Sequence, residues 1–154
     1  MLRIVIGSDL ALTARLESDR APLTVAAVRR LLPFEGTIMQ GRWSGESAWV
    51  PLDDWRAASN PGGPAGGSAA VRRFDLPYEN HTSFPAPGEM LLYCFGLSVT
   101  EFLLPYGPTI FNSRVGQLVG NHFATIIEGR DLLAEVGRRV LWQGAQPITI
   151  VDST

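Results

Sequence analysis

The sequence has no lysine, one cysteine, two histidines and no long uninterrupted apolar run. A lone cysteine forms no internal disulfide. Cys94 lies in the apolar run Met90-Leu91-Leu92-Tyr93-Cys94-Phe95, without the basic neighbour that would make its thiol a nucleophile, so a buried structural thiol is expected. His81, in the polar stretch Glu79-Asn80-His81-Thr82-Ser83, and His122 stand in no metal-ligand spacing with the carboxylates around them. No metal and no cofactor are expected, and no Walker loop, dinucleotide fingerprint or Gly-x-Ser-x-Gly elbow occurs. The longest apolar region, 90–106, is broken by Gly96, Ser98, Thr100 and Glu101, which excludes a membrane-spanning helix. Asp9 falls too early for a signal-peptide core, and the expected address is the cytoplasm.

Positive charge is also thin. All 13 basic residues are arginine, against 15 acidic ones, giving a net charge of -2 and a pI near 5.6. The arginines are scattered, with pairs only at 29–30, 72–73 and 138–139, and no basic stripe interleaves with aromatics. Nucleic acid is therefore excluded as a partner, and the all-arginine usage is read as codon bias. A charged fraction of 18% is low for a single globular domain, which leaves a homo-oligomer open.

What is present is mainly β. Residues 2–7 and 10–16 read as strands around Gly7-Ser8-Asp9, the second with Leu10, Leu12, Ala14 and Leu16 at period two. Pro22 opens a helix in which Val25, Val28, Leu31 and Leu32 share a face, ended by Pro33 and Gly36. Strands are expected at 37–43 and 47–52 around the turn Ser44-Gly45-Glu46, and then at 71–76, 90–95, 100–106, 109–112, 122–128 and 147–152. Residues 80–89 read as an extended connection. Leu132, Leu133, Val136 and Val140 give a second helix one apolar face. The Gly/Pro-rich stretch 59–70 has almost nothing to bury and reads as a flexible surface loop within one domain spanning 1–154, because neither flank makes a domain alone. Many short strands with two short helices predict a barrel or sandwich.

Two passages carry a family resemblance. Ala21-Pro22-Leu23-Thr24-Val25, leading through a helix to Gly36-Thr37-Ile38, resembles the helix after the second strand of cyclophilins and the strand that follows. Phe123-Ala124-Thr125-Ile126-Ile127-Glu128-Gly129-Arg130-Asp131-Leu132-Leu133, ending at Gly144-Ala145-Gln146-Pro147-Ile148-Thr149-Ile150, resembles the cyclophilin strand, turn, helix and closing strand. The middle is similar to a branch of small bacterial cyclophilin-like proteins of unestablished function, through 42–46, 87–93 and 104–109. The resemblance implies a mainly β, cyclophilin-like closed β-barrel with two short α-helices. It also implies prolyl isomerisation, which the motif does not support. Met39-Gln40-Gly41-Arg42-Trp43 lacks the Phe-His pair of the isomerases and sets Arg42 one residue late, and Ser47-Ala48-Trp49-Val50-Pro51 stands where their Gln-Gly-Gly segment would be.

The candidate ligand-binding residues are Arg42, Trp43, Tyr93, Tyr106 and His122. Arginine beside indole at a barrel mouth suits a carboxylate or carbonyl on an aromatic body, although strand alternation by itself gives an outward Arg42 and a core Trp43. His122 suits a polar anchor at a pocket rim or a structural histidine. Glu101 interrupts an apolar strand and is expected to face solvent by alternation, the other reading being a pocket carboxylate with a raised pKa. The first expectation is a barrel binding a small molecule or short peptide in a groove where those five residues converge. The second is an oligomeric scaffold without ligand, suggested by the low charge and by Trp49 and Trp55. The third is a peptidyl-prolyl isomerase using Arg42.

Overall fold

A computed structural model describes residues 1–52 and 74–153. Its strands are β1 (Leu2–Ile6), β2 (Leu10–Leu16), β3 (Phe34–Gln40), β4 (Gly45–Pro51), β5 (His81–Thr82), β6 (Glu89–Tyr93), β7 (Glu101–Thr109), β8 (Asn112–Ser113), β9 (Gly116–Gln117), β10 (Gly120–Glu128) and β11 (Gln146–Asp152). The helices are α1 (Pro22–Arg29) and α2 (Leu133–Trp142), the latter entered through a 3-10 turn at Arg130–Leu132. Hydrogen bonding runs β2-β1-β11-β3-β4-β7-β6-β10, and pairing of β10 with β2 closes these eight antiparallel strands into a barrel. The mainly β, cyclophilin-like closed barrel with two short helices is what forms.

Period-two sequence builds the wall. In β1 and β2 every second residue is buried, and Leu2, Ile4, Ile6, Leu10, Leu12 and Ala14 turn inward together. Gly7, at φ +65°, makes the tight turn between them. Inside, Phe102 lies 5.2 Å from Phe123 and 5.9 Å from Phe34 in tilted and edge-on contacts. Val25 and Val28 of α1, and Leu133, Val136 and Val140 of α2, join the same core. Apolar side chains of the described residues thus fill the barrel interior.

Several boundaries differ from the sequence expectation. The first helix stops at Arg29, and β3 begins at Phe34, so the β3–β4 turn falls at 41–44 and not at 44–46. Helical periodicity in Leu31 and Leu32 is real, but both residues pack on the core as part of the connection. The strand expected at 109–112 is divided: β7 runs on to Thr109, and β8 and β9 form a separate small hairpin. The connection 80–89 contains β5, which pairs with the start of β10. Residues 74–76 carry no strand. The rest of that expected strand, the 59–70 loop and Trp55 lie outside the described residues.

Candidate functional site

Four neighbouring strands break the rule of one apolar face. On β6, Met90 and Leu92 enter the barrel core, whereas Leu91 and Tyr93 belong to a second cluster with Leu103, Phe111 and Leu118. Register places Met39, Trp49, Leu103 and Leu91 in one row across β3, β4, β7 and β6, on the outer face of the wall. The next row is Pro51, Glu101 and Tyr93. This outer surface is covered in part by residues 97–99 of the β6–β7 connection and by the β8–β9 hairpin. Between these covers and the β3–β4 turn lies a cavity of about 610 Å³, within the size range of small-molecule sites.

Met39, Trp49, Leu103 and Val115 give the cavity apolar walls, Arg42, Trp43 and Arg114 stand along it, and Glu101 lines it as well. Glu101 is only 8% exposed. Among the described residues nothing donates a hydrogen bond to its carboxylate or pairs with it. Burial alone pushes its pKa up to about 8, because desolvation penalises the charged form. The expectation that Glu101 faces solvent is therefore corrected. Alternation does turn it away from the barrel interior, but at this point the outer face is covered by segments distant in sequence.

Of the five candidate residues, the structure brings Arg42 and Trp43 to this cavity. Both sit in the β3–β4 turn, so neither obeys strand alternation, and Trp43 is 56% exposed and not part of the core. Tyr93 is buried behind the cavity, where its hydroxyl accepts from the Leu97 N–H at 3.0 Å and holds the β6–β7 connection. Burial pushes its phenol above the ordinary range. Tyr106 packs against Gly137 of α2 and donates to Gln40 Oε1 at 2.6 Å, in a different depression. His122 is buried on β10, its Nε2 2.8 Å from Thr125 Oγ1, which in turn donates to Glu17 Oε1 at 2.6 Å. The five do not converge on one surface. Trp49 and Met39, which do line the cavity, were legible as apolar residues on the non-core face of their strands.

Cys94 is buried, and burial pushes its thiol up to about 11, as its apolar sequence context predicts. Among the described residues no cluster of three or more potential metal ligands occurs, and no helix is long and apolar enough to cross a membrane.

Residues 5–152 match the family described as "Protein of unknown function (DUF3830)". The chain belongs to that family. The DUF3830 chain finds no match among curated proteins. Its barrel is similar to the solved structure of McbB in complex with tryptophan, with a TM-score of 0.69 and 18% identity over 100% of this chain. The match takes in 46% of the McbB chain, so this chain spans less than half of that neighbour. A second similar structure is the solution structure of the hypothetical protein AF2241 from Archaeoglobus fulgidus, with a TM-score of 0.55 and 15% identity over 99% of this chain and 93% of the other. At these identities the likeness is one of fold.

Proposed function

We propose that this DUF3830 protein binds a small organic molecule with a flat apolar body in the outer-wall cavity between the β3–β4 turn and the β8–β9 hairpin. The observation that carries this reading is the cavity itself, apolar along Met39, Trp49 and Leu103 yet lined by a nine-tenths buried carboxyl that no described residue satisfies. A buried polar group without a partner costs stability, and a site that tolerates this cost keeps the group for a ligand. Trp43 and Trp49 offer aromatic surface against which a flat ring packs. That a neighbour of the same fold is a complex with tryptophan supports an aromatic body of this size.

Isothermal titration with tryptophan, simpler indoles and a proline-containing peptide tests the reading. A binding isotherm with a flat aromatic probe is expected, weakened by Trp49→Ala and by Trp43→Ala but unchanged in Tyr106→Phe, whose ring lies in the other depression. At one hundred times its dissociation constant such a ligand stabilises the fold by about 2.7 kcal/mol. Binding that is indifferent to both tryptophans, or binding confined to the peptide, would remove the proposal.

A further inference from the structure

We infer that the ligand of this cavity carries a basic nitrogen, and that its ammonium group seats against the Glu101 carboxylate while its apolar body lies along Trp49 and Leu103. The inference rests on the small-molecule reading above and specifies the chemistry of the molecule. It starts from geometry. Glu101 is the second residue in an outward-facing row between Pro51 of β4 and Tyr93 of β6, neither of which brings it a positive charge. Among the described residues the cationic groups that line the cavity are Arg42 of the β3–β4 turn and Arg114 of the β8–β9 hairpin. Neither forms an ion pair with Glu101, and neither contributes to the shift of its ionisation, which burial alone produces. The titratable group opposite it in register on β6 is the Tyr93 phenol, shifted upward mainly by burial and in smaller part by the Glu101 charge.

A ligand meeting this carboxyl has three chemistries open to it. An anion is repelled once the group ionises and gains nothing before. A neutral acceptor takes one hydrogen bond from the protonated acid. A cationic N–H donor forms a charge-assisted hydrogen bond, roughly twice as strong as a neutral one, and offsets the desolvation that no described residue offsets. The two arginines do not contradict this, because they do not reach the carboxylate and are free to take an anionic substituent at the other end of the molecule.

Binding is then linked to a proton. Glu101 ionises near pH 8 in the empty protein, so at neutral pH it must release its proton to solvent as the ammonium arrives. Affinity for an amine therefore rises with pH up to about 8 and levels off above it, until the amine itself deprotonates near 10.

Four probes separate the ideas: indole, tryptamine, indole-3-propionate and tryptophan, titrated calorimetrically into the full chain between pH 6 and 9 in buffers of different ionisation enthalpy. Tryptamine should bind at least about tenfold more tightly than indole at pH 8. Its affinity should climb by up to about tenfold per pH unit from 6 to 8. About one proton should be released per amine bound at pH 6, while indole shows neither effect. Glu101→Gln should abolish the preference and the pH slope together. The wild-type proton release needs no variant, so the inference stays testable if that variant fails to fold. Indole binding without a preference for tryptamine, a slope that survives Glu101→Gln, or indole-3-propionate as the tightest probe would each overturn the inference and leave the cavity reading standing. Failure of all four probes to bind would overturn both.

Discussion

Two glutamates show how strongly the supply of partners decides what a carboxylate does in this molecule. At Glu79 burial pushes the pKa upward, but bonds from the Thr24 hydroxyl at 2.6 Å, the Thr24 N–H at 2.7 Å and the Leu23 N–H at 3.2 Å outweigh it and hold the carboxyl below its ordinary value. At Glu101 burial acts without opposition and the pKa rises from 4.5 to about 8. The sign follows directly. Between those two values the folded chain keeps a proton that the unfolded chain has lost, so stability falls as pH rises through this window, by about 1.4 kcal/mol per unit from this one group. In Glu101→Gln that decline should disappear, and the variant should be more stable than the wild type at pH 7.5 in urea titrations, with little difference at pH 4.5. Equal pH profiles for the two proteins would show that Glu101 ionises normally. Sequence alone marks Glu101 as a charge in an apolar strand. It cannot give the direction of the shift, because the cover comes from 97–99 and 112–118, and only folding brings those segments over β7.

At the scale of elements, the local code is strong for helices and weaker where a strand meets a turn. α1 begins at Pro22 as its sequence dictates, but Ala21 at the N-cap offers no side-chain acceptor. The free N–H groups of the first turn are met by Glu79, 55 residues away from Thr24. Asn121 steadies the arrangement by donating to Thr24 Oγ1 and to the Pro77 carbonyl. Replacing Glu79 with Gln keeps the shape and removes the charge, and should cost about 1 kcal/mol in denaturant unfolding at pH 7. The cost should vanish at pH values below the lowered pKa of Glu79, where the wild-type carboxyl is itself protonated. α2 rests on close approach. A Cβ at Gly137 would overlap the Tyr106 ring, which Gln40 holds in place, so Gly137→Ala should lower stability by about 1–3 kcal/mol despite its better helix propensity. A more stable variant would mean that the ring yields. The bounds of the β3–β4 turn differ from the sequence expectation for a related reason: Arg42 and Trp43 look like strand residues by type, and only the pairing of Met39 with Trp49 and Gln40 with Ala48 places both within the chain reversal.

For the whole molecule, closure of the barrel was legible and its external cavity was not. Alternation in β1 and β2, the two helical faces and the closing strand at 146–152 each point to a filled barrel, since every one of them presents apolar residues to a common centre. The cavity depends on a second apolar layer outside the wall, visible in sequence as Met39 and Trp49 on the non-core face of their strands and as the unbroken run Met90–Tyr93 whose two faces are both buried. The two layers should respond differently to substitution. Phe123→Ala removes a ring from the centre of the core and should cost about 3–5 kcal/mol, lowering the unfolding midpoint without altering the relative affinities of ligands that the remaining folded protein binds. A change in ligand preference would mean that core and cavity are mechanically coupled.

Closure also limits how this protein meets other chains. Each of the eight barrel strands has a neighbour on both sides, so none of them presents a whole free edge to which a partner could add a strand. Among the described residues the strands with a wholly free edge are short, β5 and the two strands of the β8–β9 hairpin. A chain that docks on the barrel therefore meets mainly side chains, and strand exchange between copies would require opening one of the seams of the closed wall.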